Sequence, residues 1–293
     1  MKKMLFIVNP YAGRAQPQRF VFDATKIFTE AGYLVTVYPM QGRGSGKELI
    51  LSHQGEFDVV TCCGGDGTLN ETINGVMQCE KRVPIGYLPV GTTNDLASSL
   101  NIPSNPIKAA QKIVESEAFQ YDVGSFNDRY YSYIAAFGAF TETSYSTPQQ
   151  LKNTIGHLAY ILEGIKSMPS IKPIYARITT DEAVFEDEFI FGGVTNSLSV
   201  GGLVKLKSDD VKLNDGLFEM ILVRNPDTPA DLQQIITSVL KHEFDGPYMK
   251  LVKTKKVLFE SNEPVGWTLD GEDGGKVTRA ELINHQKAID ILI

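Results

Sequence analysis

Asp58-Val59-Val60-Thr61-Cys62-Cys63 runs without a break into Gly64-Gly65-Asp66-Gly67-Thr68-Leu69-Asn70-Glu71. From Val59 the run is short and shows no polar alternation, the pattern of a strand covered on both faces, as in a parallel sheet. Three glycines in four positions then turn the chain and let backbone N–H groups approach an anion closely. The residues that follow, to about Met77, have helical character. A strand, a glycine turn and a helix in this order place a ligand at the carboxyl end of the sheet, where the helix N-terminus adds favourable partial charge.

The neighbouring sequence repeats the pattern. Met4–Val8 is an apolar run ending in Asn9-Pro10-Tyr11-Ala12-Gly13, and Phe20, Ala24, Ile27, Phe28 and Ala31 follow at helical spacing, with Gly32 as the stop. Further strands are expected at 33–38 and 84–88, and helices at 47–52 and 106–116. Strand–helix units of this kind make a parallel sheet covered on both faces. After about Tyr121 the pattern changes to eight strand-like stretches, at 129–136, 174–179, 185–192, 217–223, 249–254, 256–260, 265–270 and 276–282. Their short links, rich in Asn, Asp and Gly, favour antiparallel pairing. Two helices interrupt them, at 153–168 and at 229–240 with Thr228 as N-cap. The expected organisation is an α/β domain over 1–124 and a mostly antiparallel β domain over 125–293, with a cleft between them and the last residues packing back on the first domain.

Composition narrows the function classes. Of 293 residues, 42% are hydrophobic and 22% charged, and Lys+Arg is 28 against Asp+Glu 35, a net charge of −7. These are globular values, and the acidic balance argues against a nucleic-acid partner. Three cysteines (Cys62, Cys63 and Cys79) give neither a disulfide framework nor zinc spacing, and read as reduced thiols of a cytoplasmic protein. Lys2-Lys3 before 4–8 imitates a signal peptide, but the apolar run is too short for one or for a membrane span.

Within the glycine turn, Thr68-Leu69-Asn70-Glu71 has the form of a capping box, which would start the helix at Thr68. Asp66 resists so plain an account. A carboxylate inside an anion-binding loop repels phosphate unless a cation intervenes, so it implies Mg²⁺ nearby. Gly42-Arg43-Gly44-Ser45-Gly46-Lys47 imitates a phosphate-binding P-loop, but its second glycine comes one residue early and Glu48 stands where the Mg²⁺-holding hydroxyl belongs. It reads as an ordinary glycine-rich loop. Pro89-Val90-Gly91-Thr92-Thr93-Asn94-Asp95 is a second loop at the same sheet edge, and 9–13 a third. Each alone is a weak signal, and together they point to a nucleotide.

With these motifs the sequence resembles the diacylglycerol kinase catalytic family, including its bacterial soluble lipid kinases. The resemblance runs nearly end to end and also rests on Asn214-Asp215-Gly216 and Leu269-Asp270-Gly271-Glu272. The Gly-Gly-Asp-Gly-Thr core is shared with NAD kinases and phosphofructokinases. Asn70-Glu71, the Gly-Thr-Thr-Asn-Asp loop and the late Asp-Gly-Glu select the lipid kinases. The resemblance implies an NAD-kinase-like α/β domain, a β-sandwich domain, and transfer of phosphate from ATP to a lipid hydroxyl, diacylglycerol first. It implies ATP contacts from Asn9, Pro10, Tyr11, Ala12, Gly13, Gly64, Gly65, Asp66, Gly67, Thr68, Asn70, Glu71, Thr92 and Asn94. It makes Glu272 the base at the acceptor hydroxyl, with Asp66 the second catalytic carboxylate. Asp215, with main-chain carbonyls near Lys212 and Leu217, would hold a structural Mg²⁺. The hydroxyl residue usual after the second strand is replaced around Met40-Gln41, and the turn at Val200-Gly201-Gly202 is poorer in glycine than the pattern.

Read from the residues alone, Asp270, Asp273 and Asp215 are explained by turn chemistry, and Glu272 less so, since a turn needs no third carboxylate. Arg14 and Lys166 are candidates for phosphate or an anionic membrane surface. Lys250, Lys253, Lys255 and Lys256 read as protection of a strand edge. Competing readings are a kinase of a sphingoid base or phosphatidylglycerol, an NAD kinase, and an inactive nucleotide-binding regulator. Cytoplasmic placement with peripheral contact at the inner membrane face, and a homodimer, complete the expectations.

Overall fold

The computed structural model describes residues 1–13, 17–92, 94–139, 172–197, 199–200, 204–205 and 211–293. The expected helix at 153–168, Arg14, Lys166 and Gly201-Gly202 lie outside them. The chain divides into two compact units: Met1–Val123 with Arg129–Ser132 and His285–Ile293, and Gly124–Asp128 with Tyr133–Asn284.

In the first unit β1 (Lys2–Val8) pairs in parallel with β2 (Tyr33–Pro39) on one side and β3 (Val59–Gly64) on the other. β3 pairs in parallel with β4 (Ile85–Pro89), and β4 with the end of the last strand, Ile291 opposite Ile85. Position in the sheet explains each strand's sequence. Every residue of β3 is buried, whereas β2, which among the described residues pairs with β1 alone, is made of exposed and half-buried residues. Helix α1 (Val21–Glu30) buries Ala24 and Phe28, and the Phe28 ring meets Phe6 of β1 edge-on at 5.4 Å. Helix α2 (Ser45–Ser52) packs on α3 (Asp66–Met77), where a Cβ on Gly75 would come within 2.9 Å of Ile50 Cδ1. After α4 (Asp95–Ser99), α5 (Pro106–Glu115) opens with Pro106 as its first residue and the Asn105 side chain accepting from Ile107 N and Lys108 N.

β5 (Ala118–Phe126) turns into β6 (Arg129–Tyr131), which returns the chain to the first unit. The second unit is a large antiparallel sheet. β9 (Val184–Thr195) pairs with β8 (Ile174–Thr180) along its first half and with β7 (Ile134–Gly138) along its second. β14 (Lys256–Leu269) pairs with the same two strands in the same way, so β7 and β8 lie end to end between β9 and β14. β12 (Phe218–Arg224) and β13 (Met249–Thr254) extend the β9 side, and β15 (Glu272–Leu292) the β14 side. β10 (Ser199–Val200) and β11 (Val204–Lys205) form a separate pair. Phe126, Phe137, Phe259 and Trp267 cluster with ring centroids about 5 Å apart, which accounts for Phe137 as core. Helix α6 (Pro229–Lys241) carries the expected Thr228 cap, reciprocated by Asp231.

Two stretches read separately in the sequence, 256–260 and 265–270, are one strand, β14, with a register shift between Glu260 and Val265. An irregularity of pairing that keeps the strand continuous looks like a break in a linear pattern.

Candidate nucleotide and phosphoryl-transfer site

Three loops of the first unit meet at the carboxyl ends of β1, β3 and β4. Asn9 organises the first: its N–H donates to Cys63 O at 2.9 Å, its Oδ1 accepts from Tyr11 N at 3.0 Å, and its Nδ2 donates to Thr68 Oγ1 at 3.0 Å. At Gly13 φ is +61, and a Cβ would lie 1.8 Å from Val90 O, so only glycine lets this loop reach the 89–95 segment. Val90 N donates to Gly64 O at 2.8 Å, and Gly91 lies so close to Gly65 that a Cβ would fall 2.5 Å from the Gly65 Cα. Asn94 Oδ1 accepts from Gly91 N and its Nδ2 donates to Gly91 O, both at 3.0 Å. Tyr11 and Thr92 are exposed, and Pro10 and Gly67 are half-buried.

The capping box does not form. α3 starts at Asp66, two residues before Thr68, with Gly65 as N-cap and no side-chain cap. Thr68 Oγ1 is engaged by Asn9 instead. The Glu71 carboxylate reaches the 42–47 loop, accepting from Gly44 N at 2.8 Å and Gly46 N at 3.2 Å. Tertiary partners outcompete the local cap because a charged acceptor gains more from two N–H groups than from one. The same contacts explain why 42–47 is no P-loop: two of the N–H groups that would face a phosphate face Glu71. Met40, of the Met40-Gln41 pair where the sequence departs from the family pattern, is buried beside Gly46, whose Cβ would lie 3.4 Å from Met40 Cε.

Gly65, the N-cap of α3, makes no side-chain capping bond, and a helix start of this kind suits an anion. Asp66 is its first residue, where the helix dipole itself favours a carboxylate. A hard oxygen donor beside N–H groups suits a phosphate–Mg²⁺ pair, and the missing Cβ atoms of Gly65 and Gly91 let the two loops close on one another beside it. Burial first, then the Asp66 carboxylate, pushes the neighbouring Tyr87 phenol well above its ordinary range.

Asn74, on the Asn70 face of α3, donates to Asn70 Oδ1 at 3.1 Å and to Tyr130 O at 3.0 Å, and accepts from Tyr130 N at 3.2 Å. One side chain thus ties α3 to β6. Sequence reasoning passed over Asn74 and Tyr87. A polar residue inside a helix or buried strand was the available signal.

The remaining candidates belong to the second unit. Glu272 is the half-buried first residue of β15, opposite Leu269. Asp270, with φ +51, is buried, and its Oδ1 accepts from Tyr133 N at 2.9 Å and Ile134 N at 3.0 Å. It is therefore more than a turn residue, because it ties the Glu272 turn to β7. Asp215 Oδ1 accepts from Leu217 N at 3.0 Å in a turn whose Lys212 is exposed. Among the described residues no group of three or more His, Cys, Asp or Glu is placed to hold a metal, and no helix is long and apolar enough to cross a membrane. Cys62 and Cys63 are buried, which pushes the Cys62 thiol up to about 12.

A parallel sheet with three glycine-bearing loops beside a helix start defines an α/β protein whose strand ends suit a phosphate group. Comparison with known proteins gives the family. The model of the diacylglycerol kinase catalytic domain matches residues 3–126. The chain is 34% identical to a diacylglycerol kinase of Bacillus subtilis (strain 168), over 100% of this chain and 97% of that one. It is 35% identical to a diacylglycerol kinase of Staphylococcus aureus (strain bovine RF122 / ET3-1), over 99% of this chain and 92% of that one. A crystal structure of a diacylglycerol kinase from Bacillus anthracis str. Sterne shares the fold, with a TM-score of 0.78 and 22% identity over 99% of this chain and 96% of that one. The chain belongs to the diacylglycerol kinase family and is a lipid kinase.

Proposed function

We propose that this kinase transfers the γ-phosphate of ATP to the free hydroxyl of diacylglycerol, forming phosphatidic acid. The observation that carries the reading is the meeting of residues 9–13, 64–71, 91 and 94 around the start of α3. Full-length similarity to proteins named for this activity supports the acceptor. The parallel sheet supports an NAD-kinase-like first domain, and the aromatic cluster of the antiparallel sheet supports a sandwich-like second one.

In this reading the N–H groups at the start of α3 and the 89–95 loop hold the triphosphate, and Asn9 orients Thr68 toward it. Asp66 is the residue that would hold Mg²⁺, which when bound offsets phosphate charge. Phosphoryl transfer depends mostly on positioning and charge stabilisation. Glu272 takes the proton of the acceptor hydroxyl as its oxygen attacks the γ-phosphorus and the bond to the β-phosphate oxygen breaks. Asp215, with the carbonyls of Lys212 and Leu217, would hold a second, structural Mg²⁺. Peripheral contact with the cytoplasmic membrane face, where the lipid resides, and a homodimer are part of the same reading.

The test is thin-layer separation of products from labelled ATP offered with diacylglycerol, sphingosine, phosphatidylglycerol or NAD. Labelled phosphatidic acid is expected. Label only in the sphingosine, phosphatidylglycerol or NAD product would replace the acceptor, and no product with any of them would leave an inactive nucleotide binder.

A further inference from the structure

Tyr87 sits in the middle of β4, opposite Cys62 of β3, and is fully buried. Such a position needs only an apolar side chain, and phenylalanine would fill it. The hydroxyl is an added polar group that must be satisfied. Its partner lies beyond the strand, in the nucleotide loop: the phenol donates to Asn94 Oδ1 at 3.1 Å. That oxygen also accepts from Gly91 N, and the amide nitrogen of Asn94 donates to Gly91 O. Two donors on the oxygen and one acceptor at the nitrogen leave the Asn94 amide a single orientation.

The loop is closely built. Asn94 has φ 52, in the left-handed region, which asparagine enters more readily than most residues other than glycine. Gly91 is wedged, since a Cβ there would lie 2.5 Å from the Gly65 Cα and 2.6 Å from Asn94 Oδ1. The peptide that Asn94 grips is therefore the one meeting the 64–68 loop. The raised phenol remains protonated, and so a donor, at any ordinary working pH.

We propose that Tyr87 is a positioning residue for the phosphate donor: its hydroxyl, acting through Asn94, holds Gly91 and Thr92 in the conformation that receives the nucleotide. This rests on reading the three loops as the ATP site. Tyr87 touches no substrate, so its loss acts on ATP affinity and spares the acceptor.

The experiment is a cycle on the full chain of Tyr87→Phe, Asn94→Ala and the double variant, with ATP affinity measured by calorimetry, KM for ATP and lipid and kcat by assay, and folding by thermal melt. A net hydrogen bond is worth about a three- to tenfold change in a binding constant. Tyr87→Phe is expected to weaken ATP binding by about that factor, with kcat and lipid KM unchanged, and to have no further effect when Asn94 is already alanine. Unchanged ATP affinity in Tyr87→Phe, even with a lowered melting temperature, overturns the proposal. So does an equal loss in both Asn94 backgrounds, which would mean that the hydroxyl does not act through Asn94. Wild-type protein that fails to bind ATP overturns the nucleotide reading itself, and the Tyr87 proposal with it.

Discussion

Glu272 and Asp270 stand two residues apart in one turn and answer to different physics. A glutamate that only decorates a turn becomes glutamine with a stability change within about 0.5 kcal/mol and no kinetic effect. A general base loses the lone pair that takes the proton, at a typical cost of about 10²–10⁴-fold in rate. Glu272→Gln is therefore expected to fold and bind ATP normally while lipid phosphorylation falls at least about a hundredfold. Near-normal turnover would return Glu272 to the status of a turn residue. Asp270 works through structure. Its buried oxygen accepts two backbone N–H groups, and removing it leaves Tyr133 N and Ile134 N without that acceptor. Asp270→Ala is expected to cost about 1–3 kcal/mol in a urea titration.

At the scale of elements, the start of α2 depends on a side chain from α3. Gly44, with φ 86, is the N-cap of α2 and offers no capping side chain, so the Glu71 carboxylate supplies the acceptor from 27 residues away. Glu71→Ala should free Gly44 N and Gly46 N, speed hydrogen exchange at those two amides, and cost about 1–2 kcal/mol. Exchange at Gly44 and Gly46 as slow as in the wild type would show that the 42–47 loop holds itself. The pairing also ties the start of α2 to α3 through the Glu71 carboxylate.

The whole molecule is two units joined by a chain that passes between them at 123/124, 128/129, 132/133 and 284/285. Ligands that bind only the folded state raise its stability, by about 2.7 kcal/mol at a hundred times the dissociation constant. If Asp215 anchors a structural ion, Mg²⁺ added without ATP should raise the melting temperature of the wild-type chain by more than that of Asp215→Ala. A melting curve indifferent to both the ion and the substitution would leave Asp215 with the Leu217 N–H as its whole role.

Periodicity and glycine placement made the parallel strands, the three loops at their ends and the α6 cap legible in the sequence, because each depends on residues within a few positions of one another. Apolar runs mark β1, β3 and β4, and Thr228 and Asp231 satisfy one another locally. Where partners come from afar, the linear reading failed or was silent. Thr68 and Glu71 match a local cap, yet Asn9 and Gly44 claim them across 59 and 27 positions. Asp270 read as a turn residue until Tyr133 and Ile134 stood beside it, across 137 and 136 positions. Tyr87 was passed over because its Asn94 partner, though only 7 positions away, lies round a turn that no periodicity describes. Local chemistry writes the elements and the glycines into the sequence. Which acceptor each buried donor finds is decided only when the chain has folded and distant groups compete for it.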